Sequence, residues 1–256
     1  RGAADDGYAG YAAITAIEAV RAHGGAHARC ALLLETGEES GSPDLPAYLD
    51  PLAERLGAVT LVVCLDSGAG DDQRLWLTTS LRGMAEAALT VRVLDSGQHS
   101  GLASGLVPSS FRVLRTLLDR LEDSATGEVL VPGMTVTVPE DRLGEIRDAI
   151  ADAPGLVRDA VPPVAGMRLV SEDDVELALN NTWRPTLSVV GADGLPPTAA
   201  AGNVLRPYTT VKLSFRLPPT ADHHAALKAV RETLTADPPY GARVSIEQEE
   251  SAPGWN

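Results

Sequence analysis

The chain has 256 residues, of which 44% are of hydrophobic type, so it is long enough to form one large domain or two ordinary domains with substantial cores. Acidic residues outnumber basic ones by 35 to 21, and a net charge of -14 argues against nucleic acid and anionic membranes as partners. Its longest apolar runs are much shorter than the ~18 residues of a membrane span, so we expect no transmembrane segment.

Both cysteines lie inside apolar runs. Cys30 and Cys64 therefore read as buried, reduced thiols rather than a disulfide framework, which favours a cytoplasmic location. The chain opens on "RGAADDGYAG", with no initiator methionine and no signal peptide. We interpret it as a fragment whose beginning is missing.

The first part of the chain alternates between helical and strand patterns. Residues 8–22 place apolar side chains at helical spacing, and the strand-like run "ALLLE" follows them. Leucines at steps of four, three and four then predict a helix over 45–56, before a second apolar run, "VTLVVCLD". Short, wholly apolar strands between amphipathic helices are typical of an α/β fold, in which helices cover both faces of a parallel sheet.

From about residue 82 the strand pattern changes. Residues 209–217, "TTVKLSFRL", alternate apolar and polar side chains, which predicts a sheet with one buried face and one wet face. A strand near 86–94 and the strand at 209–217 are each followed by an amphipathic helix, and a last strand is predicted at "ARVSIEQ". Strand, helix and strand given twice predict a ferredoxin-like α+β layer.

Carboxylates follow the apolar runs of the first part. Glu38 and Glu39 come after the first run, Asp66 ends the second, and Asp5 and Asp6 precede the first helix. Ligands of open α/β sheets bind at the carboxyl ends of the strands, and several carboxylates gathered there would repel each other unless cations neutralised them. Two divalent metals would fit, with one glutamate binding metal and its neighbour taking a proton from water. The alternative is ordinary loop acids and a helix cap.

Four residues of the second part are candidates for a binding site. His99 lies in the glycine-rich loop "QHSGLASG", Asn203 lies in "AGNVLRP", and Arg216 is on the polar face of its predicted strand. Trp183 either lines a pocket or packs in the core. Taken alone, the first three read as an exposed histidine, a turn asparagine and a surface arginine.

Four motifs in this order, "RGAADD", "ETGEESGS", "VVCLDSG" and "QHSGLASG", resemble the co-catalytic zinc exopeptidases (peptidase family M20), which include carnosine dipeptidases, carboxypeptidase G and aminoacylase. The resemblance runs from the first residue to about Glu250. It implies that Asp5 bridges two zinc ions, that Glu39 binds one and Asp66 the other, and that Glu38 is the general base. It also implies a cis peptide bond after Asp5.

The resemblance implies two domains with different roles. Residues 1–81 would be a partial three-layer αβα catalytic domain that continues at 251–256, and residues 82–250 would be a lid and dimerisation domain. In such a homodimer His99 stabilises the oxyanion in the partner subunit's site. Arg216 binds the carboxylate of a small peptide, and Asn203 contacts the substrate.

The chain also departs from the family pattern. Gly7 and Tyr8 stand where Lys-Gly is usual, and the family's two metal-binding histidines, upstream of "RGAADD" and near the C-terminus, have no counterpart here. We therefore expect this chain, by itself, to be an inactive fragment of its parent.

We predict that the parent is a dipeptidase using two divalent metals, zinc or else manganese or cobalt. The long segment 130–185 favours the dipeptidase branch. The alternatives are an N-acyl amino acid deacylase or desuccinylase on the same scaffold, and a non-catalytic dimerisation module.

Overall fold

The computed structural model describes residue 3, residues 5–66 and residues 68–256, so parts of "RGAADD" and the serine of "VVCLDSG" lie outside the described residues. The chain divides into two compact units, Arg1–Asp72 and Gln73–Asn256. The helices are α1 (Ala9–Ala22), α2 (Leu45–Leu56), α3 (Ser100–Ala103), α4 (Ser110–Leu118), α5 (Glu140–Asp152), α6 (Asp174–Thr182) and α7 (His223–Thr235). The strands are β1 (Gly83–Arg92), β2 (Gln98–His99), β3 (Thr186–Asp193), β4 (Val204–Leu205), β5 (Tyr208–Leu217) and β6 (Arg243–Ala252).

The first unit confirms both predicted helices, α1 and α2, but not the two buried strands. Neither "ALLLE" nor "VTLVVCLD" forms a β-ladder within the described residues, and Leu34, Leu61 and Val62 are 72%, 78% and 79% exposed. The prediction of burial was wrong here because a strand is stabilised by hydrogen-bonded neighbours, which a local apolar pattern does not supply. Cys64 lies in the second run and Cys30 directly precedes the first. Both are exposed free thiols, so their predicted burial was also wrong.

The second unit is built on a four-stranded antiparallel sheet with the strand order β3-β5-β1-β6. Along the chain, β1, α4, β3, β5, α7 and β6 repeat strand, helix and strand twice. The predicted ferredoxin-like layer is therefore confirmed, and the α/β class of the whole chain holds. Strand β3 was not predicted; it lies at the edge of the sheet, and most of its residues are exposed.

The core of this unit lies between the sheet and two helices. Helices α4 and α7 pack on one face, against the apolar side of β1 and β5. The predicted alternation of β5 is confirmed, because Val211, Leu213, Phe215 and Leu217 are all buried. The helices contribute Val113, Leu114, Leu117, Val230 and Leu234 to the same cluster. None of the helices in the described part of the chain has the length and apolar character needed to span a bilayer.

Arg120 closes the C-terminal end of α7. Its guanidinium donates hydrogen bonds to three main-chain carbonyls, those of Thr233, Ala236 and Asp237, the last at 2.9 Å. These carbonyls have no partner inside the helix, and a positive charge there also favours the helix dipole.

We expect Arg120→Met to lower the free energy of unfolding by about 1 to 3 kcal/mol, since it leaves carbonyls without their charged donor. Urea denaturation would measure the loss. Arg115→Met is the matched control, because that exposed arginine on α4 makes no side-chain hydrogen bond in the described structure. Equal losses in the two variants would contradict the capping role.

The face of the sheet away from the helices carries polar pairs. The Lys212 ammonium lies 2.6 Å from the Glu86 carboxylate, and the Ser214 hydroxyl donates to the same carboxylate at 2.9 Å. The hydrogen bond from Lys212, and then that from Ser214, hold the pKa of Glu86 below its ordinary value. On the next pair of the ladder, the Thr90 and Thr210 hydroxyls are 2.7 Å apart.

The lowered pKa of Glu86 predicts a pH dependence of stability. Because the pKa is lower in the folded state, Glu86 contributes stability above its ordinary value of 4.5, and this contribution is lost as the pH falls through the lowered value. We expect Glu86→Gln to have a lower free energy of unfolding than wild type at neutral pH. This difference in free energy of unfolding should become smaller below pH 4.5. Denaturation at a series of pH values measures it, and Lys212→Met should narrow the same difference. A difference that is constant with pH would refute the assignment.

Candidate metal centre and lid residues

The Glu38–Glu39 pair begins a short 3-10 turn, Glu38–Ser40, which ends at Gly41 in the left-handed conformation (φ 86°). Glu35 holds this loop. Its carboxylate accepts hydrogen bonds from the Gly37 amide and the Ser42 hydroxyl, both at 3.0 Å. Glu35 is the first residue of "ETGEES", but no role was predicted for it. An acid two residues before a glycine was the available signal, because such a side chain readily accepts from the backbone of a following turn.

Tyr8 links the first carboxylate motif to the third. Its hydroxyl donates to the Leu65 carbonyl at 2.8 Å, next to Asp66. The Asp5–Asp6 peptide bond is cis, as the resemblance implied. Tyr8 is the residue that departs from the family's usual Lys-Gly, and here its side chain ties the loop that carries Asp5 to the end of the second apolar run.

The carboxylates of the three motifs share one electrostatic environment. The negative charge of Asp66, followed by burial and by Glu39, Glu35 and Asp5, raises the pKa of Glu38. Burial raises the pKa of Asp66, followed by the charges of Asp5 and Asp6 and by a hydrogen bond with Asp5. The structure therefore brings Asp5, Glu38, Glu39 and Asp66 near enough to repel one another.

The donor chemistry of this cluster suits a divalent cation. Carboxylate oxygens bind calcium, magnesium, manganese and zinc, and a cation would relieve the repulsion that raises these pKa values. Within the described ranges, however, no three histidine, cysteine or acidic side chains are arranged so that they could hold one ion. Asp5, Glu39 and Asp66 are therefore donors of a suitable type that the described structure does not arrange around one ion, and no described histidine joins them.

In the second unit, His99 is the N-cap of the short helix α3. Its ring Nδ1 accepts a hydrogen bond from the Gly101 amide at 3.1 Å, and the side chain is exposed. The ring lies so close to Gly101 that an added Cβ there would be 3.0 Å from His99 Cε1. The "HSG" motif therefore has a local structural reason: the glycine makes room for the imidazole that caps the helix.

Asn203 lies beside His99. Strand β2 pairs with β4 in the register His99 to Val204, and the Ser100 amide donates to the Asn203 carbonyl at 2.9 Å. Both His99 and Asn203 are exposed. Two residues that are far apart along the chain are thus held at one end of this unit.

Arg216 lies at the other end of the sheet. It is exposed on β5 opposite Met84 of β1, whereas Asn203 precedes the first residue of that strand, Tyr208. At ~3.3 Å per residue, eight residues of strand separate Tyr208 from Arg216 by about 26 Å. One copy of this unit therefore does not bring Arg216 together with His99. Trp183 is 2% exposed, so it packs in the core rather than lining a pocket.

Comparison with known proteins places this architecture. Residues 79–242, more than half of the chain, match the family model described as "Peptidase dimerisation domain", the M20 dimerisation domain. The chain belongs to the M20 peptidases. The matched range covers the strands β1, β3 and β5 and the helices between them, together with β2, β4 and α7.

Three proteins to which this M20 chain is similar are dipeptidases. It is 27% identical, over 239 residues, to the cysteinylglycine-S-conjugate dipeptidase of Corynebacterium striatum, a match that covers 91% of this chain and 49% of that protein. Two solved structures share the fold. Human carnosine dipeptidase 1 has a TM-score of 0.66 and 24% identity, over 85% of this chain and 46% of its own. The dipeptidase Dug1p of Saccharomyces cerevisiae has a TM-score of 0.70 and 22% identity, over 100% of this chain and 54% of its own.

The M20 chain thus spans about half the length of the relatives it matches.

Proposed function

We propose that this chain is part of a metal-dependent dipeptidase. Residues 1–81, continued at 251–256, contribute to its catalytic domain, and residues 82–250 form its lid and dimerisation domain. Asp5, Glu39 and Asp66 are ligands of two divalent ions, zinc or else manganese or cobalt. The observation that supports this most directly is the gathering of these carboxylates with Glu38 in one mutually repelling cluster, in a chain related to dipeptidases.

Glu38 is the proton carrier of the proposed reaction. A bound divalent metal supplies a Lewis acid and lowers the pKa of a water molecule. Glu38, on the turn held by Glu35, takes the proton from the attacking water and delivers it to the leaving amine. Its neighbour Glu39 is a metal ligand, so the two adjacent carboxylates have different roles.

His99 stabilises the oxyanion of the tetrahedral intermediate. Because its Nδ1 accepts from the Gly101 amide, the neutral imidazole carries its proton on Nε2. Nε2 is then a hydrogen-bond donor on an exposed side chain, which is the group that an oxyanion requires. The cap therefore selects the tautomer that the proposed role needs.

The working form is a homodimer. His99 and Asn203 lie at one end of the lid sheet and Arg216 at the other, so one substrate contacts both groups only if they come from two copies. We propose that His99 and Asn203 serve the site of the partner subunit, and that Arg216 binds the peptide carboxylate in its own. The edge strand β3, with Val189 and Val190 half-exposed, is available for contacts between lids.

Metal binding and hydrolysis test the proposal together. Zinc and manganese are titrated into the 256-residue chain, and dipeptide hydrolysis is measured on this chain and on any longer gene product that contains it. We expect Glu39→Gln and Asp66→Asn to weaken metal binding. Glu54→Gln, an exposed glutamate on α2, should leave it unchanged. Metal binding that is equal in all four proteins, with no hydrolysis in any form, would overturn the dipeptidase assignment.

Assays of the same proteins distinguish two other functions. A deacylase or desuccinylase would cleave N-acyl amino acids in preference to dipeptides in a side-by-side assay. A non-catalytic dimerisation module would bind no metal and still form dimers in sedimentation, a possibility that the dimerisation-domain match supports. The cytoplasmic location stays a prediction, to be checked by fractionation.

A further inference from the structure

Two arginines meet at the end of the lid sheet where β1 begins. Arg82 directly precedes β1, and Arg216 pairs with Met84 two residues farther along. In an antiparallel pair, residues offset by two on neighbouring strands are diagonal neighbours, within reach of long side chains. The charge of Arg216 acts on that of Arg82, so the two guanidinium groups are neighbours.

Neither guanidinium has a carboxylate partner in the described structure. Arg82 donates through Nη2 to the Asn181 side-chain oxygen at 3.1 Å, a neutral acceptor, and Arg216 makes no ion pair within the described residues. Glu86, diagonal to Arg216 on β1, attracts the Arg216 charge, but its carboxylate oxygens are bound by Lys212 and Ser214. In a chain with 35 acidic and only 21 basic residues, it is unexpected that an arginine beside a second arginine donates its described side-chain hydrogen bond to a neutral acceptor, as Arg82 does.

The environment of Arg82 disfavours the charged form of its guanidinium. Burial, and then repulsion from Arg216, lower the pKa of the Arg82 guanidinium. Both causes would be offset by an anion between the two groups, because a carboxylate replaces lost hydration with charge-assisted hydrogen bonds and cancels the repulsion.

The backbone that carries Arg82 is held firmly. Leu81 and Trp255 exchange two main-chain hydrogen bonds, of 2.9 and 3.0 Å. The strands approach so closely that a Cβ added to Gly83 would lie 2.8 Å from the Ala252 carbonyl oxygen, and one on Gly254 would lie 2.6 Å from that of Leu81. Arg82 is thus fixed on both sides of its Cα, and its side chain is held by Asn181.

We propose that Arg82 and Arg216 together form one carboxylate-binding site, and that Arg82 is a second binding residue for the free C-terminal carboxylate of a peptide. The identity of this anion as substrate rests on the proposed dipeptidase function, whereas the anion site itself does not. Two planar guanidinium groups offer paired N–H donors to both oxygens of one carboxylate. A peptide with an amidated C-terminus presents no negative charge and is rejected.

The test is binding, measured by NMR from the arginine Nε–Hε signals during titration with glycylglycine and with glycylglycinamide. Glycylglycine should shift the Arg82 and Arg216 signals, and the amide should not. Arg82→Gln and Arg216→Gln should each weaken glycylglycine binding about tenfold or more, the effect of losing a charged hydrogen-bond donor. Arg82→Lys keeps the charge but loses the fork, so it should bind with intermediate affinity. Arg115→Gln is the control and should bind as wild type does.

The outcomes separate this proposal from the dipeptidase function. Unchanged binding in Arg82→Gln, with loss in Arg216→Gln, would overturn the role of Arg82 and leave the function intact. Carboxylate-dependent binding by both arginines in a protein that hydrolyses no dipeptide would keep the anion site and remove the proposed reaction. If Arg82→Gln fails to fold, the Nε–Hε signal of Arg82 in the wild type is the test. A signal that does not shift on addition of glycylglycine would refute the proposal.

Discussion

Replacing Glu38 with glutamine is expected to slow dipeptide hydrolysis by about 10²- to 10⁴-fold, the usual contribution of a general acid–base group. Glutamine has nearly the same shape but cannot accept the proton of the attacking water. The turn Glu38–Ser40 should be retained, because the hydrogen bonds that hold it come from Glu35 and the backbone. The rate is measured at saturating dipeptide in the hydrolytically active gene product that contains this chain.

Metal content separates the role of Glu38 from that of its neighbour. Glu38→Gln should keep its divalent ions, whereas Glu39→Gln should lose both metal and activity. Glu54→Gln on α2 should hydrolyse dipeptide as wild type does. A Glu38→Gln protein of undiminished activity would show that another group carries the proton.

Replacing Phe215 with alanine is expected to lower the free energy of unfolding of the second unit by about 3 to 5 kcal/mol, through lost burial and the cavity left behind. Phe215 is 1% exposed on β5, beneath α4 and α7. A loss of this size is a large part of the roughly 5 to 15 kcal/mol that stabilises a typical domain. Urea denaturation followed by tryptophan fluorescence suits the measurement, because Trp76, Trp183 and Trp255 all lie in this unit.

Phe111 provides the matched control. It is the other phenylalanine of the chain, lies on α4 and is 46% exposed, so Phe111→Ala should cost much less. Similar losses for the two variants would mean that β5 does not carry the core of this unit.

The lid was predictable from the sequence because its pattern is local. Alternation in "TTVKLSFRL" and helical spacing around Leu114 and Leu117 each report which side of an element is apolar, and the structure buries those sides. The apolar runs of the first unit misled for the same reason. A run such as "VTLVVCLD" shows that burial would be favourable, but not whether a neighbouring strand is present to provide it.

The candidate site residues differ in the same way, because some are indicated by a local pattern and others only by the fold. Adjacent acids after an apolar run are a local pattern, so Glu38 and Glu39 could be named as candidates from the residues, whereas His99 became a candidate only through the family resemblance. Glu35 and Tyr8 became visible only through hydrogen bonds to the backbone of other segments. The pairing of Arg82 with Arg216 depends on the register between β1 and β5, which join residues more than a hundred positions apart. No local pattern encodes that register.

The place of β1 in the sheet has a consequence for how the protein is made. β1 lies between β5 and β6, the last two long strands to be synthesised. At translation rates of about 5 to 20 residues per second, the segment from Arg92 to Tyr208, where β5 begins, takes roughly 6 to 23 s to emerge from the ribosome. During that time the apolar strand has neither of its final partners, so the nascent chain depends on α4 or a chaperone to shield Leu89 and Val91 from aggregation.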